Sequence, residues 1–395
     1  MSRLKASIMI LTTINILYMA VGSLTYPVIP LYLTSLNMDI VMISNIVAIL
    51  SASSFISQIL WGWMSDKVKY KAYLIATGSA LTCIAYALSA LTNSLLFLVL
   101  LWILANVSGS AAFTPSMALV ADEAERGDMG KAMGLFWAGG SLGWAFPLLF
   151  AGYLLEEYGI NMILALCALL SGTITLLTLE TIRRGTLRLT SRRRREGKLG
   201  LRDVLSPALV TLYLTSLIFY IGDLVKNIYV PQFHVRELKL ETWLTTFILS
   251  LASWAEIPLL ILFGVLVDII GSKNVFLLGL TTAAAYLFMN SMTENAIEAI
   301  CVMIFYGIVW ASFSSSSSTL ITEIVGEERR GIALGILNAN FSLASIIGPP
   351  MMGPLIAIYG FRTCFNMLST ALLISALLVS LFIRPHSRKP SRERG

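Results

Sequence analysis

The chain has 395 residues, of which 57% are hydrophobic and only 13% charged, and its mean hydropathy is +0.80. Soluble domains carry about a quarter charged residues, so a water-soluble fold is excluded. The net charge of +6 does not point to nucleic acid, because the basic residues fall in short stretches between apolar runs.

Apolar runs long enough to cross a bilayer core of about 30 Å are predicted at 7–33, 41–64, 72–92, 95–120, 130–155 and 160–181. After a basic stretch they resume at 206–232, 243–266, 274–292, 295–322, 331–356 and 361–383. The first follows a basic start, as a signal peptide would. It is too long for a cleaved segment, however, and continues through Pro27 and Pro30, so it is expected to stay. The organisation predicted is a first six-helix bundle over 1–182, a basic linker over 183–205, a second bundle over 206–383 and a basic tail over 384–395.

Lysine and arginine set the expected orientation. Arg3, Lys5, Lys67, Lys69, Lys71, Arg126 and Lys131, the arginines of the linker, Lys273, Arg329, Arg330 and the tail all fall on one side. The other side holds only Arg236, Lys239 and Arg362. The positive-inside rule puts the basic side, with both termini, in the cytoplasm of a cell-membrane protein.

Cys83, Cys167, Cys301 and Cys364 lie singly in apolar runs, without metal-ligand or disulfide spacing. His234 at a span end and His386 in the tail are expected at the surface. No nucleophile–base pair and no phosphate-binding loop appear, so neither an enzyme nor a nucleotide-driven pump is expected.

The halves repeat one another. Gly62-Trp63-Met64-Ser65-Asp66 follows the second span and Gly264-Val265-Leu266-Val267-Asp268 the eighth, 202 residues on. Gly130, Gly134, Gly152 and Gly159 recur as Gly331, Gly335, Gly353 and Gly360, 201 residues on. Duplicated helical halves are a plan of secondary transporters, with the solute site between the repeats.

These motifs resemble the major facilitator superfamily. Gly62, Asp66, Lys67 and Lys71, and again Gly264, Asp268 and Lys273, are similar to its signature after the second and eighth helices. Tyr26-Pro27, Pro30 and Tyr32 are similar to the first helix of its drug exporters. Lys69 stands where the first copy would carry a second glycine, and Pro147 is not adjacent to Gly143 as in the exporter motif of the fifth helix. The resemblance implies an all-α membrane fold of twelve helices in two pseudo-symmetric bundles. It implies a cytoplasmic gate in which Asp66 meets Arg329, Arg330 and Gly331, and Asp268 meets Arg126 or Lys131. No basic residue lies between Lys71 and Arg126, so the arginine that drug:proton antiporters carry in the fourth helix is missing.

Ionisable residues inside a span are costly and are functional candidates by default. Asp223 and Lys226 are three apart on one helix face and are placed to pair. Glu256 has no charged neighbour in its own span and is the expected proton carrier. The stretch Ala255-Glu256-Ile257-Pro258 also resembles sugar-efflux members. Asn15, Tyr18, Asn45, Trp137, Tyr220, Asn227 and Asn338 are candidates to line the cavity.

The expected function is proton-coupled efflux of a small drug-like or sugar-like solute by alternating access. The proton gradient would be the energy source, with no cofactor, and the protein a monomer in the lipid bilayer. The alternatives are a proton-coupled uptake symporter and a non-transporting receptor or scaffold of the same fold.

Overall fold

The computed structural model describes residues 3–68, 70–123, 129–185, 206–325 and 330–383. The linker beyond residue 185, the tail, Arg126 and Arg329 lie outside them, as do the side chains of Asp66, Lys67, Lys131 and Arg330. The gate pairings expected for Asp66 and Asp268 therefore fall outside the described residues.

Every described element is helical: α1 (Arg3–Thr25), α2 (Val28–Ser35), α3 (Ile40–Lys67), α4 (Lys71–Ser89), α5 (Leu95–Glu123), α6 (Met129–Arg183), α7 (Pro207–Arg236), α8 (Thr242–Ile270), α9 (Ser272–Met292), α10 (Ala296–Val325), α11 (Arg330–Tyr359) and α12 (Phe361–Phe382). Helices are the answer to a solvent without hydrogen-bond partners, since each satisfies its own backbone. Eleven stretches are long and apolar enough to span a membrane. One of them, Ala132–Arg183, has 52 residues, or about 78 Å at 1.5 Å per residue. It breaks at Gly159, whose φ of 74° leaves the helical region, and so makes two crossings and twelve in all. The first span is not one helix as expected from its apolar run. It divides into α1 and α2 at Tyr26 and Pro27, where proline removes a backbone donor.

Within the first half α1 packs on α6, and α5 on α3 and α4; within the second α9 packs on α10 and α12, and α7 on α11 and α12. The halves meet along α6 with α8 and α3 with α11. The closest of these contacts, made at two glycines, sit on the side away from the basic loops. Gly152 of α6 is seated on Thr242, Trp243 and Thr246 of α8, so closely that a Cβ would overlap them, and its N–H donates to Thr246 Oγ1 at 2.9 Å. Gly353 of α11 is seated in the same way on Ile40 and Ser44 of α3. Ser44 also shares a 2.8 Å hydrogen bond with Tyr229 of α7. The two glycine seats occupy equivalent places in the internal repeat. Arg236 donates to the Met38 carbonyl at 2.8 Å, and Glu156 accepts from the N–H groups of Thr242 and Trp243, capping from the first half a helix of the second.

The basic side differs. A Cβ on Gly134, Gly264 or Gly335 would meet no atom within 4 Å, and one on Gly62 only Thr114 of its own half. Among the described residues the glycine seats join the halves on the side away from the basic loops, and the central cleft is the space between the halves on the basic side of those seats.

Candidate functional site

Asp223, Lys226 and Glu256 lie beside this cleft, only 8%, 6% and 8% exposed. Asp223 and Lys226 share the buried face of α7, yet Lys226 Nζ stands 4.0 Å from Asp223 Oδ1. The carboxylate has closer partners. Tyr306 of α10 donates its hydroxyl to Oδ1, and Asn227 Nδ2 reaches Oδ2 at 3.4 Å and the Asp223 carbonyl at 3.0 Å. Lys226 Nζ lies 4.4 Å from the centre of the Tyr306 ring, so one tyrosine serves both charges, its hydroxyl toward the anion and its face toward the cation. Among the described residues the Lys226 ammonium makes no hydrogen bond, so its charge is balanced but not locked.

Glu256 is set apart. Ser141 of α6 donates to its Oε1 at 3.0 Å, the polar contact that ties this carboxylate to the other half of the molecule. Both Lys226 and Asp223 act on it electrostatically. Ser141 belongs to a stripe of α6 with Trp137 and Trp144. Trp144 edges onto Tyr26, at the break between α1 and α2, at 6.3 Å, while Trp137, 48% exposed, edges onto Phe113 at 6.0 Å.

Aromatic pairs within the two halves echo the repeat. Tyr18 stacks on Phe113 at 5.2 Å, and their equivalents Tyr220 and Phe313 meet at 5.3 Å. Phe341 covers Tyr220 from α11 at 5.4 Å. Tyr18 and Trp137 thus share the Phe113 ring in the first half, Tyr220 lies between Phe313 and Phe341 in the second, and Asn227 joins the Asp223 network. Asn338 is exposed on α11 about a turn from Phe341, and Asn45 is exposed on α3 with Met42 and Ile49; neither joins the charged cluster.

Two expectations need correcting. Asn15 does not line a cavity: it is 1% exposed and donates to the Phe136 carbonyl at 2.7 Å, clamping α1 to α6. Asn340 does the same in the second half, donating to the Tyr213 carbonyl at 2.8 Å. An amide N–H without a partner in an apolar interior is costly, so such residues go where a carbonyl meets them, although Asn15 Oδ1 itself has no hydrogen-bond partner among the described residues. His234 is not at the surface but fully buried, with neither ring nitrogen hydrogen-bonded. Of the gate motif, a Cβ on Gly264 would meet nothing within 4 Å and one on Gly62 only Thr114; Lys71 is buried and Asp268 exposed. Sequence reasoning did not find Tyr306 or Ser141, because a tyrosine and a serine among many in apolar helices carry no signal until a neighbour's carboxylate is placed beside them.

The sequence profile of the Major Facilitator Superfamily matches residues 11–320 and again 212–395. The chain belongs to this superfamily. It is a multi-pass membrane transporter and not an enzyme. It is similar to the multidrug resistance protein MdtG of Salmonella paratyphi A, 24% identical over 377 residues that cover 91% of this chain and 90% of that one. Two crystal structures share the fold at 14% identity. The nucleoside transporter NupG matches with a TM-score of 0.77 over 96% of this chain and 100% of its own. A peptide transporter, POT, matches with 0.81 over 95% and 93%.

Removing one member of a buried charge pair leaves the other uncompensated, at a cost of about 3 kcal/mol. Asp223→Ala is therefore expected to lower the unfolding temperature of the detergent-purified transporter by several degrees. Removing Lys226 as well should restore most of it. An equal loss in the single and double variants would show that the pair is not coupled.

Proposed function

We propose that this facilitator is a proton-coupled exporter of a small, drug-like organic solute. It works as a monomer in the cell membrane with the basic side and both termini cytoplasmic, and it needs no cofactor beyond the proton gradient. The observation that carries this reading is Glu256. It is a buried carboxylate beside the cleft, hydrogen-bonded across the halves to Ser141, with Lys226 and Asp223 acting on it.

A carboxylate so placed can link a proton to the movement of the two halves. Ionised, it accepts from Ser141 and draws on Lys226; protonated, it loses its attraction for Lys226 and holds Ser141 less strongly. The solute enters from the basic side between the aromatic walls, where stacking on Trp137, Tyr220 and Phe341 favours an organic body. Loss of the Glu256 proton toward the cytoplasm then accompanies solute loading, and a proton from outside displaces the solute. The similarity to multidrug resistance proteins supports a drug-like solute and the outward direction.

Proteoliposomes with an imposed pH gradient test the reading. A panel of fluorescent aromatic drugs is expected to move against its own gradient, opposite to proton flow. Movement in the same direction as protons would make the protein an uptake symporter. No gradient-driven movement of any compound would favour a receptor or scaffold.

A further inference from the structure

The internal repeat brings two buried spaces into register, and they differ in content. In the second half, the space between α7, α9, α10 and α12 is filled around Asp223 and Tyr306, leaving a void of only about 10 Å³. In the first half, the corresponding space between α1, α4, α5 and α6 is an open cavity of about 60 Å³, roughly four times the ~15 Å³ that one water needs. At offsets of 200 to 202 residues, Val21 stands where the second half has Asp223, Asn106 where it has Tyr306, Gly109 where it has Val309, and Ser171 where it has Leu372. The acid is gone, the bulk is gone, and hydroxyl and amide groups line the space that remains.

Two of these groups have nothing to bind. Ser171 is 2% exposed and lines the cavity, yet among the described residues its hydroxyl makes no hydrogen bond. The hydroxyl of the half-buried Tyr18 likewise makes no hydrogen bond among the described residues. Asn106 donates to the Trp102 carbonyl at 2.9 Å and accepts from Ser54 at 3.0 Å, which leaves one further donor and one acceptor on its amide. Buried polar groups in native structures are nearly always partnered, and no charged side chain lines the cavity. Tyr18 connects it to the exposed Trp137, because the same ring stacks on Phe113, onto which Trp137 edges.

We propose that this first-half cavity is a subsite for the neutral, hydrogen-bonding end of the transported solute. It takes a vicinal diol, hydroxymethyl or carboxamide group, while the aromatic body lies in the cleft. The inference rests on the chain carrying an aromatic solute, and it assigns the two halves different tasks: the second handles charge and the first recognises neutral polar groups.

The test is direct binding to purified transporter, read by tryptophan quenching and by the shift in unfolding temperature. Three matched probes are used: 3-(1-naphthyloxy)propane-1,2-diol, 1-propoxynaphthalene and 3-(1-naphthyloxy)propylamine. The diol is expected to bind about ten-fold more tightly than the propoxy compound, the equivalent of about 1.4 kcal/mol. Gly109→Val puts the second half's residue into the cavity, where a Cβ would meet Thr82 and Tyr18 at 3.6 to 3.9 Å. It should abolish the diol preference and leave propoxynaphthalene binding unchanged. Ser171→Ala, which adds no bulk, should weaken the diol about five-fold and so serves if the valine variant does not fold. A diol that binds no better than the propoxy compound, or a preference that survives both variants, would show that the cavity holds water only. Because binding is read without a proton gradient, failure of proton-driven export would not register here, and failure of the subsite would leave export intact.

Discussion

Glu256→Gln is expected to reduce pH-driven solute accumulation to the level of protein-free liposomes while solute-for-solute exchange continues. The amide keeps the size of the side chain and still accepts from Ser141 through its oxygen, so the contact across the halves survives. What disappears is the protonatable group and the negative charge that acts on Lys226. A transporter that moves solute but no proton can exchange and equilibrate, yet cannot concentrate. Ser141→Ala should be milder: one neutral-to-charged hydrogen bond contributes about 2 kcal/mol, so coupling is expected to weaken without vanishing. The measurement is drug uptake into proteoliposomes with and without a pH gradient, alongside exchange of preloaded drug. If Glu256→Gln keeps gradient-driven accumulation and Asp223→Asn destroys it, the proton is carried on α7 and the assignment made here is wrong.

Gly353→Val and Gly152→Val are expected to open the outer side of the protein. Each glycine touches the neighbouring half where a Cβ has no room, Gly353 on Ser44 and Gly152 on Thr242 and Thr246. Overpacking a tight contact costs about 1–3 kcal/mol, which shifts a two-state equilibrium roughly 5- to 150-fold. Both seats exist only while the outer side is closed, so the cost falls on that state alone. A cysteine at Thr34, whose hydroxyl meets Gln232 across the outer gate, reports the change when the four native cysteines are replaced by serine. Its labelling by an impermeant maleimide should rise about ten-fold in either glycine variant, with transport falling in step. Gly264→Val, where a Cβ meets nothing in this state, should leave that labelling no higher than in the parent. Equal labelling in the parent and Gly353→Val would mean that the outer gate closes by other contacts.

The outer gate shows how much the chain announces of itself. Gly152 and Gly353 were visible in the sequence as members of a repeat, with nothing to say what they repeat for. Their partners Thr242, Thr246 and Ser44 are about 90 and 310 residues away in the chain, and only packing brings them together. Glu156 is similar: in sequence it is a carboxylate at a span end, in the fold the cap of a helix in the other half. Asn15 failed for the converse reason. A polar residue in an apolar helix signals an unmet need for a partner, but a backbone carbonyl of the next helix meets that need as well as a solute does.

The charged cluster divides along the same line. That Asp223, Lys226 and Glu256 are buried and all belong to the second half follows from the sequence, because ionisable residues in apolar runs of this length have nowhere else to be. The sequence likewise determined the helical membrane fold, its twelve crossings and its duplication, since the bilayer allows a long apolar segment few structures and the repeat is written at a constant offset. The tertiary structure alone decided that Tyr306 holds Asp223 while Lys226 makes no hydrogen bond among the described residues, that Glu256 reaches across to Ser141, and that the first half keeps an open polar cavity where the second has closed around its acid. Span and periodicity are local properties of a chain, whereas the partner of a buried charge is set by whichever helix packs against it.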